Sequence, residues 1–211
     1  MPNPRERLKQ LDLVEAQVQL PARTLSVLRP RDAEALLDEE AFEHEEFLPY
    51  WAELWSSGEV LAREVADRDV AGFRVVELGC GLALPSLAAA MGGAYVLATD
   101  WSPDAVELAQ ENARRNALEL ETALVRWSEP EALLERAPWD LVLAADVLYE
   151  RRNVDELLAV LPKLGKDVLI ADPGRPHAKT FFERAAEDWT IEAQGQVFQL
   201  RLHLTRAETN L

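Results

Sequence analysis

The chain has 211 residues, 48% of them apolar and 28% charged, which suits one folded domain with a buried core and leaves little room for a second. Its 22 basic and 38 acidic side chains give a formal net charge of −16, which repels phosphate backbones and disfavours a general nucleic-acid binder unless charge is strongly segregated. A cationic partner is easier to reconcile with that charge.

The opening residues, MPNPRERLKQ, are too polar for a signal peptide, and residues 1–10 read as loose. Leu11–Leu20 and Thr24–Leu28 have short extended character around Pro21, and Pro30 ends the second run. Arg31–Phe47 is dense in Ala, Leu and Glu and predicts a helix, with Asp32 at its start and a solvated acidic face over Asp38–Glu40 and Glu43–Glu46. A second helix runs from near Ser57 to Ala66. From there strands and helices alternate. Strands are expected at Arg74–Leu78, Ala94–Thr99, Ala123–Trp127, Trp139–Ala144 and Val168–Ala171. Helices are expected at Pro85–Met91, Pro103–Ala117 (capped by Ser102), Asn153–Leu164 and Ala178–Glu187. This order predicts a parallel sheet with helices on both faces. The last two runs, Trp189–Ala193 and Val197–Leu204, are separated by only Gln194, Gly195 and Gln196, too short for a parallel crossover, so they form an antiparallel hairpin. The longest apolar stretch, 82–98, is interrupted by Pro85, Ser86, Gly92 and Gly93 and is too short to span a bilayer. The expectation is a cytoplasmic protein without a membrane partner.

Cys80 is the single cysteine, so there is no internal disulfide and no paired-cysteine metal motif. His44, His177 and His203 lack metal-ligand spacing, and no metal is expected. The strongest local signal is VVELGCGLALPSL, Val75–Leu87. A strand enters Gly79-Cys80-Gly81 and a helix follows, so backbone can approach a ligand closely and the helix start offers free N–H groups. Asp100 ends the next strand, about twenty residues on, where a carboxylate can accept from ribose hydroxyls. The bland alternative is a tight turn with a surface Asp. A dinucleotide fingerprint would need a third glycine where Leu84 stands, which disfavours NAD and its pyrophosphate. S-adenosylmethionine (SAM) has no pyrophosphate, and Glu77 beside the turn can organise its amides or meet the ligand's ammonium.

These residues resemble the class I methyltransferases, and more narrowly the methyltransferase-like lysine methyltransferases. The likeness is carried by PYWAELWSSG (Pro49–Gly58), by ELGCG with Asp100, and by DVLY (Asp146–Tyr149), which matches the family's Asp-x-x-Tyr motif. The DPGRP run, Asp172–Pro176, is similar to enzymes that methylate lysines of the electron transfer flavoprotein β subunit. The likeness covers about residues 45–176. It departs from the family at Ala83, where relatives often carry a third loop glycine. The resemblance implies a Rossmann-like seven-strand methyltransferase sheet, mostly parallel with a C-terminal antiparallel hairpin. It divides the chain into an N-terminal extension, 1–48, packed on a SAM-dependent methyltransferase domain, 49–211. It also implies transfer of a methyl group to an amine, with a protein lysine as the acceptor. A small-molecule acceptor, as in nicotinamide N-methyltransferase, is the alternative, and a non-catalytic SAM-fold binder is a third reading.

The expected cofactor-binding residues are Trp55, Gly58, Glu77, Gly79, Gly81, Asp100, Trp101, Trp127, Ser128 and Ala145. Trp127 and Ser128 follow the third strand, where class I enzymes hold the adenine, and Trp55 could meet the cofactor or its cation. Asp146 and Tyr149 are the expected catalytic residues: Asp146 positions the acceptor amine, and Tyr149 walls the channel and hydrogen-bonds the acceptor. Their structural alternatives are a cap and a core-edge aromatic. The DPGRP loop either lines the acceptor pocket or is a rigid connector.

Overall fold

The computed structural model describes Leu8, residues 10–36 and residues 49–203. The expected helix over Arg31–Phe47 falls largely outside them. Within them, its first part is a short 3-10 turn at Glu34–Leu36, and its acidic face at 38–46 is not described.

The chain begins with an antiparallel hairpin of β1 (Leu13–Gln19) and β2 (Thr24–Pro30). The main sheet follows: β3 (Arg74–Leu78), β4 (Tyr95–Asp100), β5 (Glu121–Leu124), β6 (Leu141–Ala145), β7 (Asp167–Ala171), β8 (Trp189–Gln194) and β9 (Val197–Leu202). These seven strands lie in the order β5-β4-β3-β6-β7-β9-β8. The first five are parallel, and β9 runs antiparallel to both β7 and β8. This is the sheet the alternation and the short final link predict.

The helices are α1 (Ser56–Ala66), α2 (Leu84–Met91), α3 (Pro103–Arg115), α4 (Glu131–Leu134), α5 (Arg151–Leu164) and α6 (Pro176–Ala185). Strand alternation assigns them to two faces. Val75, Leu141, Leu143 and Leu169 pack with Leu61, Leu87 and Leu108 of α1, α2 and α3. Their neighbours Val76, Leu78, Val142, Ile170 and Val168 pack with Leu157 and Leu161 of α5 and Phe181 of α6. Central strands buried on both faces read as continuous apolar runs, which is why VVEL and LVLAA show little polar alternation. At the start of α3 the Ser102 hydroxyl accepts from the Ala105 N–H, Pro103 takes the first helical position, and Arg114 and Arg115 sit in the last turn against the helix dipole.

Most expected strands shift by one or two residues at an end, the strand expected at Trp139–Ala144 being Leu141–Ala145, and one shifts further. The expected strand Ala123–Trp127 begins and ends earlier, because pairing with β4 finishes at Asp100–Leu124. The Val125 N–H still donates to the Asp100 carbonyl at 2.9 Å, and the chain then leaves the sheet. No helix among the described residues is long and apolar enough to cross a membrane.

Candidate active site

The chain runs from β3 to β4 and β5 in one direction, then returns past β3 to β6 and β7 in the other. The strand order thus reverses between β3 and β6, and the carboxyl ends of these strands open a crevice there, the usual ligand position in such sheets. The cleft encloses about 1110 Å³ including its open mouth. Its floor is the turn between β3 and α2. Gly79 (φ 66°) and Gly81 (φ 49°) are left-handed, where a side chain is strained, and a Cβ at either position would be crowded. A Cβ on Gly79 would stand 3.2 Å from Val147 and 3.3 Å from Trp127, and one on Gly81 would stand 3.1 Å from the Trp51 carbonyl oxygen.

Two buried carboxylates brace this turn. Asp100, at the end of β4, accepts from the Gly81 N–H through Oδ2 and from the Ser102 N–H through Oδ1, each at 2.9 Å. Burial pushes its carboxyl up to about 6, although the Ser102 and Gly81 amides favour the charged form. Glu77, 1% exposed, accepts from both the N–H and the hydroxyl of Ser86 in the first turn of α2. A carboxylate there complements the helix N-terminus, yet burial prevails and pushes Glu77 up to about 8. Cys80 is buried inside the turn, and burial raises its thiol further with help from Asp100 and Glu77, so it is no thiolate nucleophile.

The walls come from the neighbouring strands. Beyond β5 the chain crosses the cleft as Val125, Arg126, Trp127 and Ser128, and the Arg126 guanidinium lies 6.0 Å from the Trp101 ring centre. Opposite, β6 ends at Ala145 and turns sharply at Asp146, a non-glycine residue at φ 60°. The Asp146 N–H donates to the Ala171 carbonyl at 2.9 Å, which ties the turn to β7. Its carboxylate accepts from Nε of Arg175, whose guanidinium lies 5.2 Å from the Trp55 ring centre. Trp55 donates through Nε1 to the Tyr50 carbonyl at 2.8 Å, and the Tyr50 ring sits 4.9 Å from Tyr149. Burial pushes the Tyr149 phenol up to about 12, with the Asp100 and Glu150 charges adding to it, so it stays a neutral donor.

The model of the lysine methyltransferase family matches residues 46–188. The chain belongs to the lysine methyltransferase family. The chain of this family member is 39% identical over 134 residues to an electron transfer flavoprotein β subunit lysine methyltransferase of Xenopus laevis, covering 60% of this chain and 53% of that protein. Its likeness to the Homo sapiens protein of the same description is 36%, covering 61% and 50%. The histone-arginine methyltransferase METTL23 of Homo sapiens is 30% identical, covering 66% and 74%. The chain spans about half the length of the flavoprotein-directed relatives it matches. Among solved structures, the T. thermophilus 16S rRNA methyltransferase RsmC in complex with AdoMet and guanosine superposes with a TM-score of 0.67 at 14% identity, over 90% of this chain and 51% of that one. The magnesium protoporphyrin IX methyltransferase of Synechocystis with bound SAM superposes at 0.58 and 16% identity, over 82% and 98%. These structures share the fold.

In this lysine methyltransferase family member, Trp55, Gly58, Glu77, Gly79, Gly81, Asp100, Trp101, Trp127, Ser128, Ala145, Asp146 and Tyr149 all line the one cleft. The DPGRP loop does not line it. It meets the cleft only through Arg175, which bonds Asp146 and lies near Trp55. Tyr50 and Ser86 escaped the sequence reading. Tyr50 sits inside the PYWAELWSSG motif, whereas nothing local to Ser86 announces its bond to a carboxylate nine residues earlier.

Proposed function

We propose that this chain is a SAM-dependent N-methyltransferase whose acceptor is a protein lysine, with the electron transfer flavoprotein β subunit as the first candidate. The observation that carries the cofactor half is the Asp100 carboxylate at the end of β4, bonded to the Gly81 amide across a turn whose two left-handed glycines leave tight room for a Cβ. That cradle fits an adenosyl ligand. Asp100 accepts from the ribose hydroxyls, since each carboxylate oxygen holds lone pairs beyond its present bond. Trp101, Trp127 and Ser128 flank the base, and Trp55 and Gly58 close the side nearest α1. Glu77 holds the start of α2 against the turn through Ser86, so the amides there stay aimed at the ligand's amino-acid end. The acceptor half rests on the relatives' description and on Asp146, Ala145 and Tyr149 at the cleft's other side.

When bound, SAM supplies a methyl carbon on a sulfonium: the acceptor nitrogen's lone pair forms the new N–C bond, the C–S electron pair stays on sulfur, and the amine's proton leaves to solvent. The protein's part is alignment and removal of water. Asp146 accepts a hydrogen bond from the acceptor amine and aims its lone pair. Tyr149, neutral at physiological pH, donates or walls. A lysine amine has a pKa of about 10.4 in water, so the site must also favour its neutral form.

Isothermal titration with SAM, S-adenosylhomocysteine and NAD tests the cofactor. Binding of the two sulfur ligands and not NAD is expected, and silence from both would end the reading. Methyl transfer from labelled SAM to recombinant electron transfer flavoprotein β subunit tests the acceptor. Label on a lysine supports it, and label only on small amines would move the acceptor to the small-molecule class.

A further inference from the structure

We infer that Arg175 is a positioning residue that neutralises the Asp146 carboxylate beside the acceptor amine, so that the amine stays uncharged for transfer. The inference rests on the proposed methyl transfer to an amine. A lone carboxylate beside an amine favours the ammonium, which has no lone pair to give. A residue that binds the amine therefore opposes its reaction unless its own charge is offset. Arg175 supplies that offset. Its guanidinium is a permanent cation and bonds Asp146 through Nε. The guanidinium also lies 5.2 Å from the Trp55 ring centre, within cation–π range.

The loop is built to keep Arg175 there. Asp172, 2% exposed, accepts from the Gly174 and Arg175 N–H groups through Oδ1, each at 2.7 Å. Pro173 and Pro176 bracket the pair. Arg175 lies outside the cleft lining, so it acts on the amine through Asp146. Other charged groups face the same space: Glu53 ahead of α1, Glu77 and Asp100 at the β3 and β4 ends, Arg126 beyond β5, and Arg152 and Glu156 with Tyr149 at the α5 end. With Glu77 and Tyr149 neutral near pH 7, Glu53, Asp100 and Glu156 still outnumber Arg126 and Arg152, so the cleft by itself favours the ammonium. The Arg175 contact offsets the carboxylate nearest the expected acceptor position.

Sinefungin tests this without an acceptor protein, because it is a SAM analogue with a primary amine where the transferable methyl group sits. Its affinity relative to S-adenosylhomocysteine, followed against pH, reports the charge on an amine at that place. In Arg175→Gln the amine's titration is expected to move up by about one pH unit, which gives sinefungin about a tenfold gain over S-adenosylhomocysteine near neutral pH. Asp146→Asn should move the profile down. Coincident profiles in wild type and Arg175→Gln, with S-adenosylhomocysteine bound by both, would overturn the inference and leave the proposed function standing. Should Arg175→Gln fail to fold, an unmoved profile in Asp146→Asn would overturn it equally. Absence of S-adenosylhomocysteine binding to the wild type would remove the proposed function, and the inference with it.

Discussion

Ala83 shows how single residues balance in the glycine turn. It is left-handed at φ 63° and fully buried, its methyl packed with Cys80, Ala98 and Ala109. The left-handed backbone costs about 1–2 kcal/mol, while a buried methyl contributes about 0.8 kcal/mol and glycine's extra chain entropy about 0.5–1 kcal/mol. These offset, so Ala83→Gly should change the urea-unfolding free energy by less than about 1 kcal/mol, whereas Ala83→Val should destabilise by more than about 2 kcal/mol. A left-handed alanine is thus tolerable here because its methyl fills core space. Glu77 gives a pH signature. Its carboxyl is raised from 4.5 to about 8 by burial, so over that range the folded protein keeps a proton that the unfolded chain has released. Stability therefore falls as pH rises. Asp100, raised to about 6, has largely titrated by about pH 7, so the fall from about pH 7 to about pH 8 belongs mainly to Glu77. Chemical denaturation should show a loss on the order of 1 kcal/mol per pH unit there, flattened in Glu77→Gln.

The N-terminal hairpin is held by two asparagines, Asn112 in the last turns of α3 and Asn116 at its C-terminal cap. Strand β2 pairs with β1 on one edge only, which leaves the backbone groups of Ser26 and Leu28 facing α3. Asn112 accepts from the Leu28 N–H at 2.7 Å and donates to the Leu28 carbonyl, and Asn116 accepts from the Ser26 N–H at 3.0 Å and donates to its carbonyl. The side-chain amides thus continue the ladder that a third strand would have supplied. Asn112 also donates to the Leu82 carbonyl at 3.4 Å, next to the glycine turn. Asn112→Ala would leave buried backbone groups without partners at about 1–3 kcal/mol each. We expect a loss of roughly 2–4 kcal/mol in unfolding free energy and faster hydrogen exchange at Leu28, and full stability in that variant would disprove the anchoring role.

Across the whole molecule, the net charge of −16 sets the salt response. Surface ion pairs such as Arg31–Asp12, Arg136–Glu121 and Arg184–Asp155 have strongly exposed partners and contribute little, so screening them loses little. Screening the self-repulsion of the acidic surface gains more. Raising ionic strength from about 20 mM to about 300 mM should lift the thermal midpoint by a few degrees, and a fall would mean that ion pairs dominate.

Local pattern made much of this readable in the chain. The β3 strand, the glycine turn, Asp100 and the final hairpin are specified by neighbours in sequence: apolar runs set the buried strands, glycines the turn, and a short link the antiparallel return. Asp146 and Tyr149 stood out because a short motif keeps them together. Long-range register is a different matter. The end of β5 depends on where β4 stops, and Val125–Ser128 cross the cleft only because pairing ends at Leu124. Arg175 meets Asp146 across 29 residues, and Asn116 meets Ser26 across 90. Such contacts arise because strand order brings distant loops to one sheet edge, and one-dimensional spacing carries no record of that order.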